Sequence, residues 1–110
     1  MVTVGLLPSA VGFLRSDISG VHQPQDERRI RSAAKRTGYD LRKTLVFNER
    51  TEDRLHRLRV AIDRLGVDAV IVPSPAHFDD DTIPAELLEV AVVVTASLMN
   101  ATHRIRPATS

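Results

Sequence analysis

The sequence predicts an α/β fold: a single three-layer domain with a four-stranded, mainly parallel sheet and helices on both faces. Three observations predict it. Apolar runs alternate with helix-patterned stretches along the 110 residues, and a strand–helix–strand order implies parallel strands joined by crossovers. Asp68 to Pro73 ("DAVIVP") and Val90 to Ala96 ("VAVVVTA") are continuous apolar runs without alternation, the pattern of strands buried on both faces. The length suits one modest core and not two. The expected organisation is an arm over 1–9, the α/β domain over 10–96 and a tail over 97–110.

Ala10 to Arg15 reads as the first strand, a compact run containing Val and Phe. Ser16 to Gln23 reads as loop. Pro24 suits the first position of a helix, and Asp26 and Glu27 favour its positive end. Ile30, Ala33, Ala34 and Thr37 form one helical face, and Gly38 ends it. Arg42 to Asn48 is the second strand. Thr51 is the expected N-cap of the next helix, in which Leu55, Leu58, Ile62 and Leu65 recur at helical spacing before Gly66. The third strand is 68–73, 73–84 is loop, 84–89 a short helix, and 90–96 the fourth strand. After Ala96, Leu98, Met99 and Ile105 have no obvious place in a core. Two expectations stand for them: a partner or homodimer contact, or a disordered tail.

Composition excludes several classes. There is no cysteine, which removes disulfides, thiolate metal sites and thiol catalysis and fits a cytoplasmic protein. No apolar run approaches the roughly 20 residues of a membrane helix, and no basic residue precedes the first apolar stretch, so neither a membrane span nor a signal peptide is expected. Net charge is +1 but uneven: 28–59 holds eleven Arg and Lys against four acids, while both flanks are acidic. Arg28, Arg29, Arg31, Lys35 and Arg36 form a basic patch able to steer an anionic partner such as nucleic acid. The competing reading is an ordinary solvated helix face.

In a parallel α/β sheet, ligands lie beyond the C-terminal strand ends. That edge gathers "RSDISG" (15–20), "NERTED" (48–53) and "PSPAHFDDD" (73–81). Together, "VGFLRSD" (11–17), "QDERRIRSAAKRTGYDL" (25–41), "VFN" (46–48) and "LHRLRVAIDRLGVDAVIVP" (55–73) resemble the N-terminal catalytic domain of serine recombinases, the resolvase and invertase family. The resemblance spans about residues 10–80 and lies more in the strand and helix pattern than in the chemistry. It implies a resolvase-like fold and a family reaction in which a serine attacks a DNA phosphodiester while arginines hold the phosphate.

Carried over residue by residue, the resemblance puts Phe13 at the family's tyrosine and Arg15 at its first phosphate-binding arginine. Asp17 stands where the nucleophilic serine belongs. Ser16 is one residue early, and strand alternation would send it to the opposite face. Gln25 matches the helix glutamine, Asn48 replaces a strand-end aspartate, and Arg54 lies near the second arginine. The family's L-D-R-L-x-R segment reads Pro75, Ala76, His77, Phe78, Asp79, Asp80, without either arginine. Phosphate and DNA-binding candidates are therefore Arg15, Gln25 and Arg54.

These departures imply a catalytically degenerate domain that acts by binding, a small regulatory module contacting DNA or a partner protein. The family's dimerisation helix and DNA-reading domain are not expected in this chain, nor is recombination by this chain alone. No cofactor is expected. Two alternatives stand beside this reading. One is a metal-assisted phosphoryl-transfer or nuclease enzyme using Asp17, Arg15 and the acids at 79–81, with His77, Asp79, Asp80 and Asp81 as its metal-ligand candidates. The other is a nucleotide or anion binder using Arg15 and the strand-end loops without chemistry.

Overall fold

A computed structural model describes residues 7–96 and the backbone of 102–105. The chain runs β1 (Ser9–Arg15), α1 (Ser16–Ser19), α2 (Gln23–Thr37), β2 (Asp40–Phe47), α3 (Arg54–Leu65), β3 (Ala69–Val72), α4 (Ala85–Leu88), β4 (Val92–Ala96) and β5 (Thr102–Ile105). The sheet order is β2-β1-β3-β4-β5. The first four strands pair in parallel, as the apolar pattern predicts. A fifth strand, from the segment left ambiguous by its sequence, pairs antiparallel with β4. Leu98 and Met99 and the side chain of Ile105 lie outside the described residues.

Alternation along the central strands divides the core into two layers. Ala10 and Leu14 of β1, Ala69 and Ile71 of β3 and Val94 of β4 pack with Ile30, Ala33 and Ala34 of α2. Val11, Phe13, Val70, Val72 and Val93 face the other way, onto Leu58 and Ile62 of α3 and Leu87 of α4. Each central strand is thus covered on both sides, which is why its sequence shows no polar alternation. At Gly12, in the middle of β1, there is no room for a side chain: an added Cβ would lie 2.8 Å from Ile30 Cγ2 on α2 and 2.6 Å from Thr44 Oγ1.

Local signals set most boundaries. Pro24 stands in the first turn of α2, and Gly38 closes that helix in the left-handed conformation at φ 79°. Gly66 does the same for α3 at φ 64°. β2 is a sheet edge and carries a bulge: Ala10 pairs with Leu41 and Val11 with Lys43, leaving Arg42 as the extra residue. A bulge flanked by cations protects such an edge from pairing with another chain.

Three local expectations need correcting. Ser16 to Gln23 is not open loop; it holds α1 and a 3₁₀ turn (Gly20–His22) that leads directly into α2. Thr51 does not cap α3. Asp53 occupies that position at φ 53°, and the Thr51 hydroxyl accepts the Asn48 N–H instead. The alternation argument for Ser16 also fails, because β1 ends at Arg15 and helical backbone begins at Ser16.

Candidate functional site

In the sheet, β1 lies between β2 and β3, so the segments after these three strands meet at one edge. The chain leaves β1 toward one side of the sheet and β3 toward the other, which makes this edge a topological switch point. Arg15, Asp17, Arg54 and Asp79 come together there.

Arg15 ends β1 and makes a two-pronged pair with Asp17: Nε donates to Oδ1 at 3.2 Å and Nη2 donates to Oδ2. That hydrogen-bonded pairing holds the Asp17 carboxyl below the ordinary carboxylate range and raises the Arg15 pKa. Arg15 Nη1 reaches Asp79 Oδ1 at 3.3 Å. Arg54, in the first turn of α3, donates Nη2 to the same oxygen at 2.8 Å. Its Nη1 is fixed by the carbonyls of Asn48, Glu49 and Thr51 at 3.2–3.4 Å. One nitrogen of each guanidinium is therefore aimed at a single carboxylate oxygen. The Asp79 side chain is 76% exposed, while those of Arg15 and Arg54 are 13% and 21% exposed. The arginines are the built part and the aspartate is the surface part.

Asp79 lies in a 3₁₀ turn (Asp79–Asp81) in which Asp80 and Asp81 both have positive φ, 57° and 52°, a backbone region that costs non-glycine residues energy. The turn is anchored on its inner side by Phe78, which stacks on Phe13 with centroids 5.3 Å apart; Phe47 meets Phe13 edge-on at 5.5 Å. This aromatic group lies under the site and gives position 13 an apolar setting that suits Phe. Beside Arg54 and Asp79 an open cavity of about 420 Å³ is lined by Thr51, Asp53, His56 and Arg59.

A second polar group lies on the α2 side. The Ser19 hydroxyl donates to Asp26 Oδ2 at 2.7 Å, and Arg29 donates to Asp26 Oδ1 at 3.1 Å. Ser19 is buried, so this contact ties α1 to α2 beneath the surface. His77 is buried. Its Nδ1 accepts the Arg15 backbone N–H at 2.9 Å, which puts the ring proton on Nε2, 3.9 Å from Asp26 Oδ2. The imidazole thus joins the segment after β3 to the end of β1.

Burial pushes the His77 pKa below its ordinary value; Asp26 opposes this and Arg15 adds to it. The unfolded chain takes up this proton near pH 6.5, roughly, whereas the folded chain resists it until lower pH. The stability contributed by neutral His77 is therefore complete above about pH 6.5 and is lost as pH falls below that value. Urea midpoints are expected to decline on acidification, with a shallower decline in His77→Gln. Equal slopes in the two proteins would contradict this assignment.

The sequence candidates separate as follows. Arg15, Asp17, Arg54 and Asp79 are joined. Ser16 is half-buried and Gln25 is exposed; neither has a hydrogen bond to the arginine pair. Gln25 instead borders the cavity between α2 and the β3 loop, with Asp26 and Arg29. Arg29 turns in to Asp26 and leaves the basic patch, while Arg28, Arg31, Lys35 and Arg36 remain on the exposed face of α2. The suggested ligands His77, Asp79, Asp80 and Asp81 do not converge: His77 faces Arg15, Asp79 faces two arginines, and no group of three metal-ligating side chains forms among the described residues. The Asp26–Arg29 spacing was visible in the sequence, but its burial and the contacts of Ser19 and His77 carry no local signal. Among the described residues, no helix is long and apolar enough to cross a membrane. Compared with known proteins, the chain matches no family model, no curated protein and no solved structure.

Proposed function

We infer that this chain is a catalytically degenerate, serine-recombinase-like binding module whose strand-end arginine pair is an oxyanion site held closed by the protein's own Asp79. The observation that carries this reading is the shared acceptor: Arg15 Nη1 and Arg54 Nη2 both point at Asp79 Oδ1. Two guanidinium donors converging on one oxygen suit a phosphate as well as a carboxylate. The neighbouring open cavity leaves room for whatever carries that phosphate, DNA being the partner class favoured by the basic middle of the chain.

Binding without cleavage is supported by the state of the groups around the pair. Asp17, at the family's nucleophile position, has both carboxylate oxygens occupied by Arg15. An oxygen held in that way is a poor nucleophile toward phosphorus. Of the two nearby hydroxyls, Ser19 is buried with its hydrogen bond on Asp26, and Ser16 has no hydrogen-bonded base among the described residues. Incubation of the protein with duplex and single-stranded DNA, with and without Mg²⁺, is expected to give neither a covalent adduct nor a nick on a denaturing gel. An adduct that disappears in Asp17→Ala would overturn the reading and make Asp17 a nucleophile.

A further inference from the structure

We propose that the groove between α2 and the start of β2, at the opposite end of the sheet from Arg15, is a binding site for the backbone of single-stranded nucleic acid. The site is separate from the arginine pair, and the proposal does not depend on that pair being an anion site.

The groove has a volume of about 710 Å³ and is lined by Arg28, Arg31 and Lys35 on one wall and by Leu7, Tyr39 and Leu41 among its other residues. Arg28, Arg31 and Lys35 are exposed, and none has a carboxylate partner among the described residues. At about 1.5 Å rise per residue they step along the helix axis by roughly 4.5 and 6 Å, a row of cations that a flexible phosphate chain can follow. Arg42, the bulged residue of β2, adjoins Leu41 and is exposed. Asp40 is the one acid in the lining. The acids elsewhere on α2 are already engaged, Asp26 by Ser19 and Arg29 and Glu27 by Gln23.

The apolar lining decides the class of polyanion. Leu7 is 57% exposed, and Tyr39 and Leu41, half-buried against the core under α2, line the same groove. A cationic wall over an apolar and aromatic floor suits unpaired bases, which lay their faces on the floor while phosphates follow the cations. A duplex keeps its bases stacked inside and has no use for such a floor. The bulged, charged edge of β2 disfavours the main competing occupant, an added peptide strand.

Fluorescence anisotropy with a labelled oligothymidylate tests the proposal. Binding is expected to weaken with salt, with a log–log slope of magnitude about 2 for three phosphates contacted. The triple variant Arg28→Glu, Arg31→Gln, Lys35→Gln is expected to lose affinity at least about tenfold. A charge-matched comparison, Arg57→Glu with Arg64→Glu on α3 across the sheet, is expected to stay within about twofold of wild type. All substituted side chains are exposed, and circular dichroism checks that each variant is folded. Equal losses in the two variants would reduce the effect to net charge and overturn the proposal. So would no binding at low salt, or duplex or polyglutamate bound as tightly as the single strand. Loss of oligothymidylate binding with phosphate binding to Asp79→Ala intact would identify the groove, and not the arginine pair, as the part affected.

Discussion

Asp79→Ala is expected to bind inorganic phosphate at least about tenfold more tightly than the wild-type protein. In the wild type, the Asp79 carboxylate is tethered next to its two arginines and competes at an effective concentration in the millimolar range, roughly. A free anion must displace it. Removing it leaves Arg15 Nη1 and Arg54 Nη2 facing one point, each still held by its other contacts: Arg15 by Asp17, Arg54 by three carbonyls. The donors therefore stay arranged when the acceptor is gone. Asp79→Asn keeps an acceptor oxygen without the charge and is expected to fall between the two. Stability should change little, because an exposed ion pair is worth about 0–1 kcal/mol. Calorimetric titration with phosphate, alongside thermal melts, measures both quantities. Equal affinity in Asp79→Ala and wild type would mean that the aspartate closes nothing.

The largest loss of stability is expected from a single methyl group on β1. In Gly12→Ala, the new Cβ meets Thr44 Oγ1 at 2.6 Å and Ile30 Cγ2 at 2.8 Å. The Thr44 hydroxyl can rotate away, but Ile30 is fully buried on α2 between helix and sheet, so the helix has to lift. Overpacking of this kind costs about 1–3 kcal/mol, or a fall in Tm of roughly 4–8 °C per kcal/mol in a domain near this size. A double-mutant cycle isolates the cause. Ile30→Ala alone opens a cavity, but combined with Gly12→Ala it should cost less than the two single losses added together, since the new methyl enters space the isoleucine has left. Strict additivity would show that the strain lies elsewhere.

How far the fold could be read follows from how local each signal is. α2 and α3 were legible because their apolar faces repeat at helical spacing and Gly38 and Gly66 stop them. β3 and β4 were legible because strands buried on both faces are apolar nearly throughout, with Thr95 the one polar residue in the two runs. α1 was missed because "SDISG" is built from residues that favour turns, and only its place between β1 and α2 makes it helical. The start of α3 was misread because Thr51 has capping chemistry, but its hydroxyl is taken up by Asn48, and the helix begins after Asp53, which holds the capping position at positive φ without a side-chain cap. β5 depends on pairing with β4, and its own four residues, THRI, carry one apolar side chain, too little to mark a strand.

The site divides along the same line. Arg15, Asp17, Arg54 and Asp79 were each visible as a charge in the segments that follow β1, β2 and β3. Their closure into one cluster depends on β1 lying between β2 and β3. The acids at 79–81 looked like one negative patch hostile to phosphate, or a set of metal ligands. In the fold they have different fates, with Asp79 drawn in to the arginines while Asp80 and Asp81 hold a positive-φ turn at the surface. His77 looked like a metal-ligand candidate, yet it is a buried acceptor for the Arg15 amide.

On the proposed reading, Arg15 and Arg54 together form an oxyanion site which Asp79 occupies. The measurement that tests it most directly is a phosphate titration of the double variant Asp79→Ala with Arg54→Gln. The predicted result is that the affinity gained on removing Asp79 disappears when one of its two guanidinium partners is also removed. Phosphate binding to the double variant as tight as to Asp79→Ala alone would contradict the account and put the anion somewhere other than the arginine pair.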